Sequence, residues 1–209
     1  MDSARHILTN FEAALENLRK DVLTMSSLTA HSLEQADDEQ IDALEIQVDT
    51  EGVDIMLRFH PFASDLRNVI AAMKTSVNLE RSADQCVGIA RRARKLIALP
   101  QLPETARIEP LFHQASAMFN DAIKAYADGD IALSRTLSAR DKNLDELNRN
   151  FAETLTQLMP QNPESIRGFL ELIFIARCLE RIGDQAKNIA EDVIYAVTVK
   201  DIRHTQAAN

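Results

Sequence analysis

Three features of the sequence predict an all-α fold: a scarcity of turn-forming residues, few aromatics, and apolar residues recurring at helical spacing. The 209 residues include five glycines and six prolines, too few for the many turns a β protein needs. Aromatics make up 5% and Trp is absent, which thins out the residue types that favour strands. Ile175, Leu179, Ile182, Ala186, Ile189, Val193 and Val197 recur at steps of three and four, the apolar stripe of an amphipathic helix.

Breakers divide the chain into six helices. The first is predicted from Ile7 to Leu33, and the second from Asp38 to Phe59, stopped by His60-Pro61. The third runs from Ser64 to Ala98. Pro100, Pro103 and Pro110 then fall within eleven residues. Proline cannot continue a helix interior, so this segment is the expected domain boundary. The fourth helix is predicted from Leu111 to Ala127, the turn Asp128-Gly129-Asp130 follows, and the fifth extends to Leu158. Pro160 and Pro163 make the next break, and the sixth helix is expected from Glu164 to Val199, before a frayed polar tail, Asp201 to Asn209. Long helices joined by short loops pack as antiparallel bundles. A single striped helix also suits an intermolecular coiled coil, but three helices per half with short turns favour the bundle. The expected organisation is a first three-helix bundle over 1–99, a second over 104–200, and a flexible tail over 201–209.

The charge balance excludes other classes. A formal net charge of −9 argues against nucleic-acid binding, which rewards basic surfaces. No run approaches the roughly 20 apolar residues of a membrane span, and the acid-containing start MDSARHILTNFEAAL lacks the apolar stretch of a secretory signal. Cys86 and Cys178 have no metal-type spacing, so they read as free buried thiols of a cytosolic protein.

An internal repeat relates the halves. Leu79-Glu-Arg-Ser-Ala-Asp-Gln-Cys-Val-Gly-Ile-Ala90 matches Leu179-Glu-Arg-Ile-Gly-Asp-Gln-Ala-Lys-Asn-Ile-Ala190 at an offset of 100 residues, and Arg67 matches Arg167. Upstream, Asp38/Asp42 matches Asp141/Asp145 at an offset of 103. Self-similarity on this scale marks a duplicated unit.

Four acidic pairs fall at equivalent places in the repeats: Asp38/Asp42, Glu80/Asp84, Asp141/Asp145 and Glu180/Asp184. Residues four apart share a helix face, and like charges there cost an isolated helix roughly 0.2–0.5 kcal/mol. Carboxylates facing each other from two helices suit hard metal ions. A bland reading competes, because chance alone yields roughly five such pairs at this acidic content. Arg81 and Arg181 also stand where they can neutralise Asp84 and Asp184 as ordinary helix ion pairs, and duplication copies structural residues as faithfully as functional ones. Gly183, at about 1 kcal/mol below Ala in a helix, fits close approach by a neighbouring helix or simple packing. The basic run Arg91-Arg92-Ala-Arg94-Lys95 reads as a solvated helix face, with a partner or lipid headgroup as the other option.

The motifs together carry a family resemblance. Leu179 to Glu191 resembles the signature of PhoU proteins, His60-Pro61-Phe-Ala-Ser-Asp-Leu-Arg67 resembles that family's turn before the third helix, and Asp38 to Glu45 resembles its second-helix motif. The resemblance covers essentially the whole chain. It implies paired three-helix bundles and a negative regulator of the phosphate-starvation response. Such a protein links a phosphate ABC transporter, through its ATPase subunit, to a sensor histidine kinase, and keeps the kinase from activating its response regulator when phosphate is plentiful. It further implies a homodimer and metal binding (Mg, Mn, Fe or Zn) at Glu80, Asp84, Glu180, Asp184, Asp38, Asp42, Asp141 and Asp145. Ser82-Ala83 departs from the family's Ile-Gly, Asn148 stands where the first half has Glu45, and Ser165 stands where it has Asp65.

An enzyme is not expected. None of the five histidines forms the Glu-x-x-His pair of a di-iron bundle, and no phosphate-binding loop is present. The alternative functions are an accessory protein of another phosphate transporter and a helical scaffold for a partner.

Overall fold

The computed structural model describes residues 2–35 and 39–199, with side chains over 9–30 and 40–199. Six helices account for it: α1 (Asp2–Gln35), α2 (Glu39–Phe59), α3 (Ser64–Ile97), α4 (Glu109–Asp128), α5 (Ile131–Leu158) and α6 (Ile166–Thr198). No strand occurs among the described residues. Asp38 and the tail 201–209 lie outside them.

Local chemistry sets the ends. α4 starts two residues before its predicted beginning because Pro110 sits in its first turn, where a missing N–H costs nothing. Gly129 closes α4 in the left-handed region at φ 65°. Asp130 then caps α5 by accepting a hydrogen bond from the Leu133 N–H at 2.9 Å. α6 starts at Ile166 and not Glu164 because Pro163–Ser165 forms a 3₁₀ turn.

Helices α1, α2 and α3 pack on one another, as do α4, α5 and α6. The predicted α6 seam is buried from Ile175 to Val193. Only Val197, at the C-terminal end, is exposed.

The most extensive helix contact, α3 on α6, joins the two bundles. The pair runs antiparallel: Arg67 Nε donates to the Ala196 carbonyl at 2.9 Å, Lys74 meets Asp192 at 3.0 Å, and Arg92 meets Glu171 at 3.2 Å. The repeat shows in this interface. Lys74 and Phe174 hold one repeat position, Asp192 and Arg92 the other, and Arg92 lies 4.1 Å over the Phe174 ring. Two structurally equivalent contacts are thus an ion pair at one end and a cation–π contact at the other. The basic run is therefore only partly a solvated face, because Arg92 is committed between the bundles.

α3 is covered on both sides, which explains its small and polar buried residues. Ala71, Ala72, Ser76, Asn78, Ser82 and Ala83 are all buried. Ser76 and Ser82 satisfy their hydroxyls on the Met73 and Asn78 carbonyls of the same helix. Cys86 and Cys178 are free. Burial, and then the neighbouring Cys178, push the Cys86 thiol up to about 12, so it behaves as a small core residue.

Candidate functional site: two carboxylate clusters

In the first half, α2 presents Asp42, Glu45 and Asp49 at steps of three and four, on one face. That face meets Glu80 and Asp84 of α3. Glu80 is raised above the ordinary carboxylate range by burial, then by the charges of Asp84, Glu45 and Asp42. Glu45 is raised by burial, then by Asp49 and Asp42. Arg81 opposes both shifts without cancelling them. Five carboxylates from two helices thus share one neighbourhood with one arginine.

The second half repeats the arrangement on α5 and α6. Burial raises Glu180, and Asp184 and Asp145 raise it further against Arg177 and Arg181. Asp184 is raised by burial and by Asp141 and Asp145, with Lys187 and Arg181 opposing. Asp145 is raised by burial and by Asp141.

One contact has no counterpart among the described residues of the first half. Lys187 Nζ lies 2.5 Å from Asp141 Oδ2, whose side chain is 4% exposed. Burial on its own lowers Lys187, but the hydrogen bond to Asp141 and the charges of Asp141, Asp184 and Glu191 outweigh it and raise the ammonium. The corresponding first-half residue is Val87.

Packing fixes this geometry. Gly183 sits against Leu144 of α5: a Cβ at that position would overlap Leu144 Cδ2. The atoms a Cβ would meet are side-chain atoms of Leu144 and Met118, so of the two readings of Gly183 simple packing is the one observed. Leu144 and Asp141 lie one turn apart on α5, and Gly183 and Lys187 one turn apart on α6, so the glycine contact and the ion pair brace the same crossing.

The structure brings together all the predicted site residues it describes: Asp42 with Glu80 and Asp84, and Asp141 and Asp145 with Glu180 and Asp184. Sequence reasoning did not single out Asp49 or Lys187. The signal for Asp49 is its place one turn beyond Glu45, and for Lys187 the Val87/Lys187 mismatch inside an otherwise well-matched repeat. Among the described residues, no three His, Cys, Asp or Glu side chains stand close enough to hold an ion as they are placed. The first-half set fits a hard cation by donor type and by a repulsion that Arg81 only partly offsets. The second-half set does not fit as well, because an ammonium already neutralises its buried member. A groove of about 530 Å³ elsewhere, between α1 and the α4–α5 turn, is lined by Glu12, Glu16, Arg19 and Tyr126 among others. It contains none of the cluster carboxylates.

The family model for the PhoU domain matches twice, over residues 4–93 and 108–193. The chain belongs to the PhoU family. The phosphate-specific transport system accessory protein PhoU homolog of Pseudomonas putida is 36% identical, covering 95% of this chain and 85% of that protein. The Escherichia coli accessory protein PhoU is 30% identical, covering 96% and 90%. The crystal structure of PhoU from Pseudomonas aeruginosa superposes with a TM-score of 0.79 at 31% identity, covering 94% of this chain and 99% of that one. The PhoU structure from Streptococcus pneumoniae, at 23% identity and a TM-score of 0.74, shares the fold. The two matched segments fall on the two bundles, so the internal repeat and the domain duplication are one observation.

Proposed function

We propose that this PhoU protein is a cytoplasmic, non-catalytic negative regulator of the phosphate-starvation response. It links the ATPase subunit of a phosphate ABC transporter to a sensor histidine kinase, and holds the kinase off when phosphate is plentiful. The observation that carries this reading is the double PhoU-domain match, together with near full-length similarity to accessory proteins of phosphate-specific transport systems. No helix among the described residues is long and apolar enough to cross a membrane; in this reading the protein meets the membrane through its partners.

Exposed apolar residues supply surfaces for such partners. Ile46, Val53 and Leu57 line the outer face of α2, and Phe62 follows them at 79% exposure. His60 and Ala63, either side of Phe62, hold φ of 48° and 52°, conformations that cost roughly 1–3 kcal/mol each and persist where surrounding structure enforces them. Arg67, bonded to the Ala196 carbonyl, ties this turn to α6. A second apolar stripe, Ile166, Leu170 and Phe174 on α6, is the face on which a homodimer would form. Divalent metal is assigned to the first-half cluster, held by Asp42, Glu45, Glu80 and Asp84, where it would offset carboxylate repulsion and tie α2 to α3.

Affinity capture tests the partner reading. The tagged protein should retain the transporter ATPase subunit and the kinase from the same cells, and Leu57→Ser/Phe62→Ser should release at least one of them. Capture of neither, with the fold intact by circular dichroism, contradicts it.

A further inference from the structure

We propose that Lys187 is a tethered cation that closes the second carboxylate cluster to metal, so that the two halves of this duplicated protein are chemically inequivalent. This rests on the metal part of the reading above only for what happens in the first half. Lys187 closes the second cluster whether or not the first cluster holds metal.

The repeat sets up the comparison. Glu80, Asp84 and Val87 correspond to Glu180, Asp184 and Lys187. In each triplet the third residue lies one turn beyond the second, on the same helix face. In the first half that residue is an aliphatic side chain that brings no charge. In the second it is an ammonium that reaches across to α5 and sits 2.5 Å from Asp141 Oδ2. Asp141 is the most buried of the described cluster carboxylates, and a buried carboxylate without a partner is an uncompensated charge that destabilises the fold. Lys187 therefore supplies, covalently attached, the charge compensation that a bound ion would otherwise supply.

A metal entering the second cluster would have to break this charge-assisted bond and accept an ammonium within a few ångströms. Gly183, without a Cβ, lets Leu144 of α5 pack closely against α6, and at this close crossing Lys187 reaches Asp141. The groups facing the ammonium are Asp141 from α5 and Asp184 and Glu191 from α6. One feature points the other way: Asn148 Oδ1, on α5 where the first half has Glu45, is buried without a hydrogen-bond partner, an acceptor a metal could use. The experiment weighs that acceptor against Lys187.

Equilibrium dialysis of the full chain against Mn²⁺ decides the matter. Glu180→Gln/Asp184→Asn should leave wild-type Mn²⁺ uptake unchanged. Lys187→Met should gain about one Mn²⁺ per chain, and adding Asp184→Asn should remove it. Lys187→Gln, which keeps a donor for Asp141 while removing the charge, should gain the same equivalent and covers the case in which Lys187→Met does not fold. Loss of Mn²⁺ from Glu180→Gln/Asp184→Asn in the Lys187 background, or no gain in either Lys187 variant, overturns the proposal. If the wild type takes up no Mn²⁺ but the Lys187 variants do, the first-half metal reading fails and the inference about Lys187 holds.

Discussion

Replacing Gly183 by Ala sets two effects of known size against each other. Alanine is favoured over glycine within a helix by about 1 kcal/mol, so on α6 considered alone Gly183→Ala should stabilise. The new methyl, however, would overlap Leu144 Cδ2, and Leu144 is fully buried, so relief requires a shift within the core. Overpacking of this kind costs roughly 1–3 kcal/mol. The net expectation is a loss of about 1 kcal/mol, which for a protein of this size lowers Tm by about 2–4 °C. Thermal unfolding followed by circular dichroism reads it directly. A double-mutant cycle sharpens the test: Leu144→Ala alone should cost about 2–5 kcal/mol. The Gly183→Ala methyl should fill part of the resulting cavity, so the double variant should be more stable than the sum of the singles by about 0.5–3 kcal/mol. The control Ala83→Gly, at the equivalent first-half position, should lose about 1 kcal/mol by helix propensity. A Gly183→Ala protein that melts higher than wild type, with no coupling to Leu144, would refute the account of the α5–α6 crossing.

Further outcomes follow from the clusters and the exposed face. Glu45, Glu80, Asp145, Glu180 and Asp184 all have raised folded-state values, so the folded chain holds their protons more tightly than the unfolded one. Their contribution to stability should therefore fall as pH rises from the ordinary carboxylate value of about 4 through the raised range, with Arg81, Arg177, Arg181 and Lys187 moderating it. Glu80→Gln/Glu180→Gln should flatten that slope and raise Tm at neutral pH, as a pH series of melts will show. Lys187→Ala, which leaves the buried Asp141 carboxylate unpaired, should destabilise by more than Asp141→Ala, whose removal lets the partly exposed ammonium return to water; chemical denaturation of both variants compares them. Leu57→Ser and Phe62→Ser, at highly exposed positions, should change stability by no more than about 0.5 kcal/mol while weakening partner capture.

Much of the fold is legible in the sequence because its determinants are local. Helix stops at His60-Pro61, Asp128-Gly129-Asp130 and Pro163 act within a few residues, and the apolar stripe of α6 repeats along one element. The duplicated motif from Leu79 and Leu179 carries the architecture of one half onto the other. The seating of α3 on α6 is not legible, because it depends on pairs such as Lys74–Asp192 and Arg92–Glu171 that no local spacing announces. The same long-range geometry turns Arg92 from a member of a basic run into a bridge between bundles. Facing carboxylates were accessible from the i,i+4 pairs and the repeat. That Lys187 neutralises Asp141 was not, since an ammonium on a long flexible stem becomes a partner only once α5 is placed beside α6.

The proposed function of this chain is to silence a phosphate-starvation response. The most direct test measures a starvation reporter such as alkaline phosphatase in phosphate-rich medium, in a strain deleted for this gene and complemented at matched protein level. Deletion should turn the reporter on, and the wild-type gene should turn it off again. A reporter that stays off in the deletion strain contradicts the proposed function.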